Sequence, residues 1–216
     1  LTTGAGDDTV TVTLDAATDG FFSLNTEAGD DEVFASASTL PLVIFGGEGS
    51  DLVQGGQGSD IIFGDKGSVD YRDAGGRLIT RLGFGLAERD LILPGGTETA
   101  LNDVPFRQTD GAVRGPALIT TREPGTGGID TIAGNNGNDI ILGGQAGDTI
   151  DASDGNDIVL GDNGYIDYVV TDGDPSDIDL IASTDYAVGG TDIVTAGAGS
   201  DIVIGGAAGD DVNGGS

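Results

Sequence analysis

Eleven aspartates in this sequence share one chemical setting. Asp8, Asp31, Asp51, Asp60, Asp130, Asp139, Asp148, Asp157, Asp192, Asp201 and Asp210 each have Val or Ile two residues later. Nine of them have Gly two residues earlier, with Ala146 and Ala208 as the exceptions. A carboxylate set among glycines is an oxygen donor surrounded by unshielded backbone carbonyls, and the chemistry open to it is holding a cation. The charge balance points the same way. With 37 acidic against 8 basic residues the chain carries a net −29, which repels nucleic acid and anionic membranes and calls for metal cations to neutralise it. The chain has no His and no Cys, which excludes Ser-His-Asp and Cys-His nucleophiles, zinc and haem ligation, and disulfides. Paired carboxylates with Tyr and Arg could act on a glycan. Nearly every acid is already accounted for by the repeat, however, so an enzyme is not expected.

The elements that must position these aspartates follow from their spacing. Within the groups Asp51–Asp60, Asp130–Asp157 and Asp192–Asp210 the anchors recur every nine residues. Each nonapeptide reads as a six-residue turn, whose glycines permit positive φ, followed by a three-residue strand with one β-branched residue pointing inward. Such strands are too short to stand alone. Stacked on their neighbours at about 4.8 Å they form a solenoid that buries each repeat on the next. Glycine density and the period of nine exclude helix. The fold expected is all-β, a parallel β-roll or β-helix solenoid with irregular insertions.

Gly46 to Gln54 and Gly55 to Phe63 both read G-G-x-G-x-D followed by x, an aliphatic residue and x, and Gly134 to Leu142 and Ala196 to Ile204 match with one substitution each. At these residues the sequence resembles the RTX family of calcium-binding nonapeptide repeats, over roughly 100 residues. The resemblance implies several bound Ca²⁺ ions, with two nonapeptides per turn of the roll and calcium between loops eighteen residues apart. Carried over, Asp130 pairs with Asp148, Asp139 with Asp157, and Asp192 with Asp210. Calcium takes six to eight oxygens from flexible carbonyls and carboxylates, which is what a glycine turn with one Asp supplies. The alternative is that these Asp merely cap turns, but capping requires no fixed period.

Both of the first two runs leave the period alike, through Gly64-Asp65 to Asp70-Tyr71 and through Gly161-Asp162 to Asp167-Tyr168. Asp65 and Asp162 could ligate calcium from a shifted position, and they complete the candidate metal set. Leu118 to Ile132 aligns without gaps on Leu180 to Val194, so the return to the period also recurs. The organisation expected is a wider-coil β-helix region over 1–45, a first roll run over 46–67, an Arg-containing insertion over 68–124, a second run over 125–164, a short insertion over 165–186, and a third run over 187–216. Anchor spacings of 23 and 20 after Asp8 and Asp31 indicate the wide coils, with Phe21 and Phe22 as core residues. All eight basic residues lie between Lys66 and Arg122. These Arg either fold back on their own solenoid or contact an acidic partner.

No apolar run approaches membrane-spanning length. The chain opens at Leu1 and stops at Ser216 partway through a motif, so it reads as a segment whose last run continues. The function expected is a calcium-dependent structural or adhesive segment of an extracellular or cell-surface protein. It could associate with other copies of itself in a fibre or layer. The alternative is a calcium-folded secretion or carrier module attached to an enzyme or toxin. The resemblance implies export by type I secretion. Three separate runs, rather than one compact block, favour the structural reading.

Overall fold

The computed structural model describes residues 1–72, 78–83 and 115–215. Among them there is no helix, and the strands form three sheets. Seven strands stack in parallel in chain order: β1 (Thr9–Thr11), β3 (Glu32–Phe34), β5 (Leu52–Gln54), β10 (Thr131–Ala133), β12 (Thr149–Asp151), β16 (Ile193–Thr195) and β18 (Asp211–Asn213). Six more form a second parallel sheet: β2 (Phe22–Asn25), β4 (Leu42–Phe45), β6 (Ile61–Phe63), β11 (Ile140–Gly144), β13 (Ile158–Asp162) and β17 (Ile202–Ile204). From β1 through β6, and again from β10 through β13 and from β16 through β18, the chain alternates between the two sheets.

Register explains the core. Val10, Val33, Val53, Ile132, Ile150, Val194 and Val212 stand directly opposite one another along the first sheet. Leu24, Ile44, Ile62, Ile141, Val159 and Val203 do so along the second. The two columns face each other and most of their members are fully buried. Leu24 and Ile44 fill the aliphatic place in coils that carry no anchor aspartate on that side.

The roll runs through the insertions without a break. β5 pairs directly with β10, and β6 with β11, although the first insertion separates them in sequence. Likewise β12 pairs with β16 and β13 with β17 across the second insertion. The three runs of the sequence are therefore stretches of one solenoid, from which the insertions are looped out.

The described parts of those insertions contain five strands. β7 (Gly67–Arg72), β8 (Leu78–Gly83) and β9 (Leu118–Thr121) come from the first, and β14 (Gly164–Asp167) and β15 (Leu180–Ser183) from the second. They make one antiparallel sheet in the order β15-β14-β9-β7-β8, so the two insertions join through β9 and β14. Val69, Ile119 and Ile166 of this sheet pack with Phe45, Phe63, Leu142 and Leu160, which project from the second parallel sheet on the side away from the roll's core. Phe45 and Phe63 stack with centroids 4.9 Å apart. Gly67 is required here, since a Cβ on it would strike the Phe63 ring.

One expectation changes, and one open alternative narrows. Phe22 packs against the core, but Phe21 is 55% exposed and meets Tyr71 edge-on at 6.1 Å. Of the basic residues, Arg81 is buried in a forked pair with Asp70, at 2.5 and 2.7 Å. Lys66 bridges Glu48 and Glu123 at 2.6 and 2.7 Å, and Arg122 donates to Ser68 Oγ at 2.9 Å. These cations fold back on their own chain. Arg77, Arg89, Arg107 and Arg114 lie outside the described residues.

Candidate metal centre

Each six-residue turn is conveniently numbered so that its anchor aspartate stands at position 6. The turns form two stacks, one leading into each parallel sheet. In the first stack the anchors make a ladder in which every backbone N–H donates to the carboxylate of the next coil. Asp8 donates to Asp31 Oδ1, Asp31 to Asp51, Asp51 to Asp130, Asp130 to Asp148, Asp148 to Asp192 and Asp192 to Asp210, at 2.7–3.1 Å. In the second stack Leu42 donates to Asp60, Asp60 to Asp139, Asp139 to Asp157 and Asp157 to Asp201, at 2.8–3.0 Å. All eleven anchors fall on the ladders. The three pairs eighteen residues apart are neighbours, and so are Asp51 and Asp130, and Asp60 and Asp139, each 79 residues apart.

Using Oδ1 in this way leaves Oδ2. In Asp31, Asp51, Asp130, Asp139, Asp148, Asp157 and Asp192 that second oxygen is buried and accepts no hydrogen bond. A buried carboxylate oxygen without a partner is costly, and seven of them in register need one common explanation. The glycine at position 1 shows what lies around them. A Cβ on Gly46 would be closer than 3.0 Å to both Asp51 Oδ2 and the carbonyl oxygen of Gly64, one coil on. The same crowding occurs at Gly64 (Asp130 Oδ2 and Gly143 O), at Gly143 (Asp148 Oδ2 and Gly161 O), at Gly161 (Asp192 Oδ2 and Gly205 O) and, in the second stack, at Gly134 (Asp139 Oδ2 and Ala152 O). Carboxylate and carbonyl oxygens thus converge on the bare face of a glycine at successive steps. Among the described residues no three acidic side chains gather at one point, so a cation held here draws on carbonyls as well as carboxylates. That donor set is oxygen only and suits a hard cation such as calcium.

The electrostatics fit the same reading. Burial pushes the Asp130 carboxyl up to about 10, with the nearby Asp65 carboxylate adding to the effect. Burial likewise raises Asp148 to about 9, Asp139 to about 8, Asp51 and Asp192 to about 7, and Asp60 to about 6. Asp31 and Asp157 are raised for the same reason. Without a cation these groups resist ionisation. A divalent cation between coils would reverse that.

Comparison with known families decides the type of repeat. The RTX calcium-binding nonapeptide repeat matches in four copies, over residues 43–68, 124–159 and 186–216. The chain carries RTX repeats. No curated protein and no solved structure matches it significantly. RTX repeats bind calcium, and the matched stretches contain the anchors from Asp51 onward. The wide coils with Asp8 and Asp31 lie outside the match, although the same ladder passes through them.

Asp65 and Asp162 sit differently from the RTX anchors. Both occupy position 2 of a turn, and both carboxylate oxygens are engaged by backbone amides. Asp65 Oδ1 accepts from Gly128 N at 3.0 Å and Oδ2 from Gln145 N. Asp162 Oδ1 accepts from Gly190 N at 2.9 Å and Oδ2 from Ala207 N. Burial raises Asp65 to about 7 and also raises Asp162.

One set of residues escaped sequence reasoning. Position 5 carries a second ladder of small polar side chains, running the opposite way. Asp30 N donates to Asp7 Oδ1 at 3.1 Å, Ser50 N to Asp30 Oδ1 at 2.9 Å, Asn156 N to Asn138 Oδ1 at 2.8 Å and Ser200 N to Asn156 Oδ1 at 2.9 Å. The recurring Asp, Ser or Asn before the anchor was its signal.

Proposed function

We propose that this chain is a calcium-folded structural segment of an exported, cell-surface protein, serving as a stiff spacer or adhesive element. The observation that carries it is the row of buried, unpartnered Oδ2 atoms, those of Asp51, Asp130, Asp139, Asp148 and Asp192 lying close to the position-1 carbonyl of the next coil. Asp51, Asp130, Asp139, Asp148, Asp157 and Asp192, with position-1 carbonyls, would hold the ions. Bound calcium supplies the positive charge that these carboxylates lack. The chain's own contribution is to fix the carboxylates by the amide ladder and to keep them from water. Metal that binds the stacked turns and not the open chain adds its binding free energy to folding. Extracellular calcium modules bind at about 10⁻⁴ to 10⁻³ M, so the segment would stay open where calcium is scarce and stiffen after export. The continuous roll, splinted by an antiparallel sheet, supports a structural role, and no catalytic role forms part of this reading.

Circular dichroism during a calcium titration from excess chelator tests it. A β-rich spectrum should appear cooperatively with calcium and vanish on chelation. A spectrum that is already β-rich in chelator and indifferent to calcium would sink the proposal. Electron microscopy of the calcium-loaded segment at low and high ionic strength tests self-association. Monomers under both conditions would remove the fibre or layer.

A further inference from the structure

Both insertions enter the roll at the same point of a turn. In the first, Gly64 and Asp65 occupy positions 1 and 2, the chain leaves, and Gly127 to Asp130 complete positions 3 to 6. In the second, Gly161 and Asp162 are followed after the insertion by Gly189 to Asp192. Each departure therefore splits a turn between positions 2 and 3, and each has Asp at position 2, where uninterrupted turns have Gly in six cases (Gly4, Gly47, Gly56, Gly144, Gly197 and Gly206) and otherwise Glu27, Asn135 or Ser153.

Uninterrupted turns show what the split removes. There, position 3 forms a small bridge with position 3 of the next coil, as in Ala5 with Ala28, Ala28 with Glu48, Asn136 with Asp154, and Asp154 with Ala198. Two amides maintain it. The position-4 amide donates to the position-3 carbonyl of the next coil, as Gly29 does to Glu48 at 2.9 Å and Gly137 to Asp154 at 3.0 Å. The position-3 amide donates back to the position-2 carbonyl of the preceding coil, as Glu48 does to Glu27 at 2.8 Å and Asp154 to Asn135 at 3.0 Å.

At the split turns the same two amides turn to the Asp side chain. Gly128 and Gly190 are position 4 of their own turns, and Gln145 and Ala207 are position 3 of the next coil. Glycine makes room around each carboxylate. A Cβ on Gly127 or Gly144 would collide with Asp65, and one on Gly189 or Gly206 with Asp162.

We infer that Asp65 and Asp162 are clasps that close the split turns, each carboxylate replacing the two backbone acceptors that hold neighbouring turns together. They are positioning residues that let a folded sheet be spliced into a turn without shifting the register of the roll, and calcium ligation is not their task. A carboxylate suits this place because it accepts on both oxygens. An amide in its place would turn an N–H₂ towards one of the donors.

Hydrogen exchange of the calcium-loaded protein, read residue by residue, tests the inference. In the unaltered chain the amides of Gly128, Gln145, Gly190 and Ala207 should be protected, and rapid exchange there overturns it whether or not any variant folds. Asp65→Asn should speed exchange at Gly128 or at Gln145, whichever then faces the N–H₂, by about tenfold, as for a lost hydrogen bond of ordinary strength, while Gly190 and Ala207 stay as they were. Asp162→Asn should do the reverse. Calcium stoichiometry by isothermal titration should be the same in both variants as in the parent. Loss of a bound ion with unchanged exchange would make these residues ligands and overturn the clasp.

Discussion

Asp70 and Asp130 are equally shut away from water, 1% and 0% exposed, yet the molecule neutralises them by opposite means. Asp70, in the antiparallel sheet, receives two hydrogen bonds from the Arg81 guanidinium. Asp130, in the roll, has one backbone amide on Oδ1 and nothing on Oδ2. The antiparallel sheet carries its own cation, whereas on the proposed function the roll would borrow one from solution. Only the roll would then be switched by calcium in the medium. The sheet stays tied to that switch because its apolar side rests on Phe45, Phe63, Leu142 and Leu160 of the roll.

Acid provides the broadest way to sharpen this contrast. The folded-state pKa values of Asp60, Asp51, Asp192, Asp139, Asp148 and Asp130 lie between about 6 and about 10, above the ordinary 3.8. Groups raised in this way favour the calcium-free fold below about pH 4 and withdraw that support as pH rises through 6 to 10. In chelator, the β signal should be stronger at pH 4.5 than at pH 8 (both approximate working values). Equal signals would mean that these carboxylates are not desolvated. With calcium present the dependence should invert, because the ligands must ionise to bind.

Breaking the self-supplied pair comes next in size. Arg81→Ala leaves Asp70 buried and alone, and should lower stability by about 3–5 kcal/mol in saturating calcium. Replacing both partners together, with Asp70→Leu and Arg81→Met, should recover most of that loss. Denaturant titrations check both. A double variant as weak as the single would show that the pair does more than neutralise charge.

The smallest effect separates two rungs of one device. Asp139 has coils on both sides and an unpartnered Oδ2, while Asp8 heads its ladder, donating to Asp31 and standing half-buried. Asp139→Ala should raise the calcium midpoint about tenfold, the scale of one lost charge-assisted contact, and Asp8→Ala far less. Equal midpoints would remove the distinction between interior and end rungs.

Much of the roll was legible because period nine fixes both the inward aliphatic residue and the anchor aspartate. Continuity through the insertions was not legible, since Asp51 and Asp130 are neighbours only in space. A signal for the covering sheet was nonetheless present. The residues flanking the buried one are polar or small in Thr131-Ile132-Ala133 and Thr149-Ile150-Asp151, but apolar in Ile61-Ile62-Phe63 and Ile158-Val159-Leu160. Alternate nonapeptides thus announce that one parallel sheet has an outer layer. The task of Asp65 and Asp162 stayed hidden because it depends on amides from distant coils. Sequence counts a carboxylate in a glycine turn but does not show which way the surrounding amides point.

The seam between β9 and β14 has a mechanical consequence. It joins insertions that leave the roll two coils apart, and it lies over only one of the two parallel sheets. Bending the rod so as to open that side must stretch the pairing of Thr120 with Tyr165, Ile119 with Ile166 and Leu118 with Asp167. Among the described residues the rod is therefore reinforced on one side, and the added pairing works against the flexure that opens that side.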